Sequence, residues 1–452
     1  MRWRQEVILG PDHGLPVLAQ TDVCVVGGGA AGVAAAETTA RHGKSTILVE
    51  RYGFCGGNAV GGLSGTICGM YLSSERNVNR PEQVVFGFTE RFRAAMAARN
   101  GITAPQRYGR TWTVTHDPLV WREVADHFLQ ESGTQILFHC LVVGVVVEDE
   151  TFRGVLVESK AGRGVIEAAR LIDASGDADL VYRAGLGYSF GQDGTVQNPT
   201  MIFRLGGVDV PRFLDYWGED TICAPEVSTL LASENASGRY DLPRAKIWLF
   251  PTPRKDEILC NATRLIGNDG RMLDTTDPED LTAAELIGRR QVHDYARFLK
   301  DFVPGCEASF VNDTGVQAGI RQSRSVAGLA RLSNDDVLQR RKCGDGIARS
   351  PWPIELHVGD KPKLEWLHDD YYEVPYGALV PARGENLIVA GRCLSAEHEA
   401  LASARVTAQC FAYGQAAGLA SLLSIDEDLP FRQIEGAALR ERLNDDGARL
   451  DA

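Results

Sequence analysis

The run "DVCVVGGGAAGVAAAETTARHGKSTILVE", residues 22–50, constrains this chain more than any other. It reads as an apolar strand, a glycine turn, an alanine-rich helix closed by Gly43, and a second apolar strand ending in Glu50. That is one βαβ unit in about 30 residues. Gly27-x-Gly29-x-x-Gly32 fills the turn. The first glycine permits the tight turn, the second lets a pyrophosphate approach the backbone, and the third lets helix and strand pack closely. The helix start then turns free N–H groups and a positive dipole end toward the phosphates. Glu50 stands 18 residues beyond Gly32, where a carboxylate accepts hydrogen bonds from an adenosine ribose. A lone GxGxxG would also fit a plain glycine-rich cap. With strand, helix, strand and terminal acid in order, the unit reads as a dinucleotide site.

The chain has 452 residues, more than one core usually supports, so two domains are expected. "LVVGVVV" and "RGVLVES" flank a polar turn and resemble a hairpin. "RLIDASGD" (170–177) and "NLIVAGR" (386–392) are strands running into glycine turns. The middle of the chain carries acidic stretches such as "DTTDPEDLTAAEL" and most of the prolines and tryptophans. The expected layout is a dinucleotide-binding part over 1–190, an inserted substrate or cap domain over 191–375, a return over 376–425, and a C-terminal helix or tail over 426–452. The fold class is α/β: a Rossmann-like domain with a parallel sheet and a β-hairpin or meander, interrupted by an α+β domain.

Composition excludes several classes. A formal net charge of −13 argues against nucleic acid or an anionic membrane surface as partner. The ten cysteines form no CxxC and no cluster with zinc spacing. They read as buried thiols in a reducing cytoplasm, with no metal site. The first twenty residues contain two prolines and no apolar signal-peptide core, and no run is long enough to span a bilayer. Assembly into a homo-oligomer stays open.

After the second strand comes "RYGFCGGNAVGGLSG", whose glycines suit backbone passing close along an extended ligand. With "LIDASGDADL", "GIRQSRSVAG", "YYEVPYGALVP" and "ENLIVAGRCLSAEHEALASARVTAQCFAYGQAAG", these blocks resemble the FAD-dependent oxidoreductases of the glutathione-reductase type. Within that type they resemble more closely the family called simply FAD-dependent oxidoreductase. The blocks run from residue 21 to about 424 in the family's order. Gln322 departs from the pattern, which has an acidic residue there.

The resemblance implies FAD. It would be held by Gly27, Gly29, Ala30, Ala31 and Gly32, by Glu50 and Arg51, and by Gly56, Gly57, Asn58 and Gly61. Val143, the turn Ala174, Ser175, Gly176 and Asp177, then Gly391, Arg392 and Ala404 complete the set. Non-covalent binding is the expectation, with Cys55 the attachment point should the link be covalent; a Cys55–Cys68 dithiol is the further alternative. A helix starting near Ser395 or Ala396 is expected to aim its N-terminus at the pyrimidine side of the flavin, stabilising the reduced anion. The activity implied is that of a dehydrogenase or oxidase moving a hydride from a small organic substrate to flavin N5. His398, His357, Tyr376 and Arg321 are the catalytic candidates, and Arg321 with Arg324 could clamp a carboxylate. A flavin monooxygenase would share the first motif, but the terminal Gly-Asp motif of aromatic hydroxylases and the tryptophan signature of halogenases are missing. No second GxGxxG follows a strand, which disfavours a two-nucleotide reductase. A flavin electron-transfer subunit is the non-enzyme alternative.

Overall fold

The first strand, β1 (Val17–Val26), lies inside a seven-stranded sheet. It pairs in parallel with β2 (Thr46–Val49) on one side and with the strand Gly162–Asp173 on the other. Val23, Cys24, Val25 and Val26 are all buried, as a strand covered on both faces requires. This computed structural model describes residues 14–75 and 80–451. The N-terminal segment examined above for a leader lies mostly in residues 1–13, outside the described residues.

Gln135–Leu137 extends the sheet beyond β2, and Leu387–Val389 joins it in parallel beside Gly162–Asp173. The other strands form the meander: Leu141–Glu148, Thr151–Ser159 and Gly162–Asp173 pair antiparallel in sequence order. Asp149 and Glu150 turn the first hairpin with φ of 48° and 67°, the left-handed pair that a two-residue hairpin loop favours.

The helix α1 (Ala30–Arg41) follows β1 and packs beneath the long helix Thr407–Asp426. Glycine sets their approach. A Cβ on Gly414 would stand 2.1 Å from the Ala31 carbonyl oxygen, and one on Gly418 would stand 2.9 Å from Thr38 Cβ. The far side of the long helix presents Phe411 to Phe88, Phe92 and Trp121, with ring centroids 4.8 to 5.4 Å from it. Such aromatic pairs contribute about 0.5–1.5 kcal/mol each beyond area burial.

A second core gathers residues between Met201 and Ala318. It contains a four-stranded antiparallel sheet in the order Trp248–Pro251, Glu257–Asn261, Phe203–Gly206, Phe310–Thr314. The helix Pro278–Phe302 contributes Ala284, Ile287, Val292, Tyr295 and Phe298 to this core. It begins inside the acidic stretch because Asp277 caps it, accepting from the Glu279 and Asp280 amides, with Pro278 at its first position. Most buried apolar residues between Val326 and Val380 pack instead into the first core, while Trp352 joins a small third cluster with Tyr108, Trp248 and Phe250. Among the described residues no helix is long and apolar enough to cross a membrane.

Candidate active site

Three strands end level. Val26 and Val389 both register with Asp173, so the loops that follow open at one edge of the sheet. The ladder continues one residue further: Gly27 N donates to Val49 O, Ala174 N to Val26 O, and Ala390 N to Asp173 O. This is the carboxyl edge on either side of the first strand, where open α/β sheets bind ligands. A cavity of ≈ 280 Å³ starts there, lined by Gly27, Gly29, Ala174–Asp177 and Ala390–Arg392.

Gly27 has φ +99°, and a Cβ on Gly32 would lie 1.8 Å from the Gly27 carbonyl oxygen, so strand and helix touch. Gly29 differs. Its φ is −70°, and a Cβ there would meet nothing nearer than Gly57 Cα at 3.8 Å. The space above Gly29 opens into the cavity, and the helix start has no side-chain cap, so its first amides stay available to a ligand. Gly57, at φ +48°, brings the glycine-dense loop against Gly29. Glu50 is buried and ties this end together: Oε2 accepts from Gly28 N at 2.7 Å and Oε1 from Tyr52 N at 2.9 Å. Each oxygen can accept a second hydrogen bond, and Glu50 lines the cavity.

Asp173 fastens the second loop, accepting from Ser175 Oγ at 2.6 Å and Leu180 N at 2.8 Å. Asp177 accepts from Arg392 Nη2 at 2.8 Å and Ser323 Oγ at 2.5 Å, joining the second and third loops. Burial pushes the Asp177 carboxyl up, but the Arg392 charge and these donors outweigh it and leave it below its usual range.

The far end of the cavity is built from other segments. Tyr108 OH donates to Glu355 Oε1 at 2.6 Å, and His357 Nε2 lies 3.3 Å from the same oxygen. Arg244 reaches His357 Nδ1 at 3.1 Å and Asn261 Oδ1 at 3.0 Å. Arg321 donates to Asn198 O and Asn261 Oδ1. Burial pushes Glu355 up, but the hydrogen bonds from His357 and Tyr108 and the Arg405 charge hold it below its usual range. Burial, reinforced by Arg321, pushes the His357 ring well below its usual range, so the ring is neutral. Trp352, Phe250 and Ile202 supply apolar wall.

Of the residues expected at the cofactor, Gly27, Gly29, Ala30, Ala31, Glu50, Arg51, Gly56, Gly57 and Asn58 line the cavity, as do Ala174, Ser175, Gly176, Asp177, Gly391 and Arg392. Gly32 and Gly61 do not. Val143 does not either: Cys140, Leu141 and Val142 line the cavity, the pairing with the next strand shifts register between Val142 and Gly144, and the Val143 carbonyl accepts from Arg183. Ala404 is also outside, because the helix expected near Ser395 runs only from His398 to Ala404. The chain straightens at Val406 and restarts at Thr407, and it is Arg405, Val406, Thr407 and Cys410 that line the cavity. Among the catalytic candidates, Arg321 and His357 line it. His398 is buried outside it, and Tyr376 is buried with its hydroxyl on Phe431 O. Arg324 binds Asp177 O and Asp179 instead of joining Arg321. Gln322 is buried and accepts from Gln197 N. Cys55 packs behind the loop, where a Cβ on Gly28 would lie 2.7 Å from its Sγ, and does not line the cavity. Cys55 and Cys68 are both free thiols.

Sequence reading missed Tyr108, Arg244, Asn261, Glu355 and Arg405. Glu355 alone had a signal: it stands two residues from His357, which directly follows the strand Ile354–Leu356.

Loops at a carboxyl sheet edge, an uncapped glycine helix start and a strand-terminal glutamate define an α/β dinucleotide-binding protein. The sequence profile described as FAD dependent oxidoreductase matches residues 22–443, and the chain belongs to that family. No curated protein matches it. Solved structures resemble it at low identity. A geranylgeranyl bacteriochlorophyll reductase-like protein from Thermoplasma acidophilum is 13% identical, with 94% of this chain and 83% of that one covered at TM-score 0.48. p-Nitrophenol 4-monooxygenase from Pseudomonas putida is 11% identical, with 95% and 84% covered at TM-score 0.48. L-Amino acid deaminase from Proteus myxofaciens, solved with anthranilate, is 12% identical, with 96% of each covered at TM-score 0.47. The open space at Gly29, the free first-turn amides and the free lone pairs of Glu50 fit FAD, and the chain is an FAD-dependent oxidoreductase.

Proposed function

We propose that the protein is a dehydrogenase or oxidase with a glutathione-reductase-type flavin unit. It would take a hydride and a proton from a small organic substrate held at the inner end of the cavity. The observation that supports this reading is the continuity of one cavity from the Gly27–Gly29 loop to Arg321, Glu355 and His357. A molecule at the inner end shares that space with the cofactor. FAD, when bound, supplies the two-electron acceptor. The chain's own part is to bind and orient. Arg321 and Asn261 present polar contacts, Trp352, Phe250 and Ile202 exclude water, and Arg405 sets a positive charge where the long helix begins. Such a charge favours the reduced, anionic cofactor. The ten free thiols accord with work in the cytoplasm, and the net charge of −13 disfavours nucleic acid or an anionic membrane surface as partner.

The test is an anaerobic screen of the FAD-loaded protein for flavin bleaching by amines, alcohols, hydroxy acids and thiols, followed by admission of air. Bleaching by one class supports the reading, and fast reoxidation then marks an oxidase. A flavin that no compound bleaches, yet that exchanges electrons with artificial carriers, would make the protein an electron-transfer subunit.

A further inference from the structure

The inner end of the cavity holds positive charge that the protein does not neutralise. Three shielded arginines elsewhere in the chain are paired with carboxylates. Arg204 meets Glu257 at 3.1 Å, Arg392 meets Asp177 at 2.8 Å, and Arg440 meets Glu373 at 3.0 Å. At the inner end Arg244, Arg321 and Arg405 share the field of one carboxylate, Glu355, and none of them forms an ion pair with it among the described residues. The hydrogen bonds of these three go to neutral acceptors. Arg244 donates to Asn261 Oδ1 and His357 Nδ1, Arg321 to Asn198 O and Asn261 Oδ1, and Arg405 to Gln197 Oε1. His357, being neutral, adds no charge. Glu355 is already engaged by Tyr108 and His357.

Arg321 and Arg405 line the cavity, while Arg244 stands behind His357. Arg321 is 7% exposed. The Nε of Arg405 is buried without a hydrogen-bond partner, and so is the side-chain nitrogen of Gln197, which accepts from Arg405 through its oxygen. Burial, together with repulsion from Arg244 and Arg405, holds Arg321 well below its usual range. An uncompensated buried guanidinium is costly unless a ligand brings the missing charge. The planar donor set of arginine matches a carboxylate.

We infer that the inner end of the cavity is a carboxylate-binding site in which Arg321 and Arg405 hold the substrate as an organic acid. This rests on the reading of that end as the substrate site. It narrows the substrates from small organic molecules in general to carboxylic acids, and it sets Glu355 as the fixed counter-charge that limits the site to a small anion.

The test compares matched pairs on the FAD-loaded wild-type protein. Propionate, lactate, succinate and benzoate are titrated against the corresponding carboxamides, with inorganic phosphate as a general oxyanion. Binding is read from the visible spectrum of the bound flavin and from thermal shift. At least one carboxylate is expected to perturb the flavin saturably and to bind at least about tenfold tighter than its amide, the effect of one charge-assisted contact. Arg321→Gln and Arg405→Gln, checked for retained FAD, should each weaken that carboxylate by about tenfold or more. The proposal is overturned if amide and acid bind alike, if no carboxylate binds saturably, or if phosphate binds as tightly as the best carboxylate. Unchanged affinity in both variants also overturns it. The wild-type comparison stands even if a variant fails to fold. Carboxylates that bind without any compound bleaching the flavin would defeat the dehydrogenase reading and leave the anion site in place. Bleaching by neutral compounds with no preference for acids would do the reverse.

Discussion

Arg244 Nη2 lies 3.1 Å from His357 Nδ1. A guanidinium has only donors, so Nδ1 must accept, and the proton of the neutral ring therefore sits on Nε2. Nε2 faces Glu355 Oε1 at 3.3 Å. Both ring nitrogens are thus engaged, and the histidine holds Glu355 and Arg244 in register. It is a positioning group and not a free base. His357→Gln should slow flavin reduction by less than the about 10²–10⁴-fold of a lost general base. It should also leave the pH profile of that step without a change near the usual histidine value of about 6.5. An inflection there that disappears in the variant would contradict this assignment.

His398 has the same expectation for a different reason. Its ring is buried outside the cavity, with Nδ1 enclosed and unpartnered. A group that does not reach the cavity cannot take a substrate proton. His398→Gln should keep FAD and lose less than about tenfold in the reductive rate, since a positioned base would cost at least about 10²-fold. Anaerobic stopped-flow reduction measures this directly.

Two glycines of one motif should fail in different ways. Gly29→Ala puts its methyl into open space at an ordinary φ, so the apoprotein should fold normally and lose FAD affinity, with Gly29→Val abolishing it. Gly32→Ala puts a methyl 1.8 Å from the Gly27 carbonyl oxygen and should destabilise the fold itself. Urea titration of both apoproteins, with flavin content after reconstitution, separates the two. Full flavin content in Gly29→Val would place the pyrophosphate elsewhere.

Glu50→Ala removes the acceptor for two backbone amides as well as the expected ribose contact. FAD affinity should fall by roughly 1.5–3 kcal/mol, as for a hydrogen bond to a charged group. The apoprotein should also lose stability, because Gly28 N and Tyr52 N are left without their partner. Isothermal titration of FAD and apoprotein melting read the two effects apart. A drop in FAD affinity with unchanged apoprotein stability would leave the ribose contact alone.

Acid should weaken the protein through a buried histidine, opposed in part by Asp173, whose carboxyl burial raises to about 6. His116 is 2% exposed and packs against Trp121, with ring centroids 4.7 Å apart and the planes tilted by 42°. Burial brings its ring down to about 4. The unfolded chain, with the usual value of about 6.5, therefore binds more protons between those limits. The stability contribution is complete above about 6.5 and is lost as the pH falls toward about 4, by roughly 3 kcal/mol at most. His357 acts in the same direction. His116→Phe should flatten, without abolishing, the fall of unfolding free energy across that range. A variant with the wild-type slope would exclude His116 as a cause.

The amino-acid sequence alone determined the glycine-lined end of the cavity. Gly27, Gly29, Gly32 and Glu50 lie within one βαβ unit, and short-range rules of turn, cap and period suffice to read them. The loops after Asp173 and Val389 were legible for the same reason, since each is a strand running directly into glycine. Tertiary structure decided the rest. Whether Val142 or Val143 meets the cavity depends on strand register, which shifts by one residue with no mark in the sequence. The break between Ala404 and Thr407, which moves the cavity-facing helix beyond His398, contains neither Pro nor Gly to announce it. The inner cluster draws Tyr108, Arg244, Asn261, Arg321, Glu355 and Arg405 from segments separated by up to 297 positions along the chain. Their charges acquire meaning only when folding brings them together away from water. An arginine in a sequence looks the same whether its partner is a carboxylate, the solvent or a ligand.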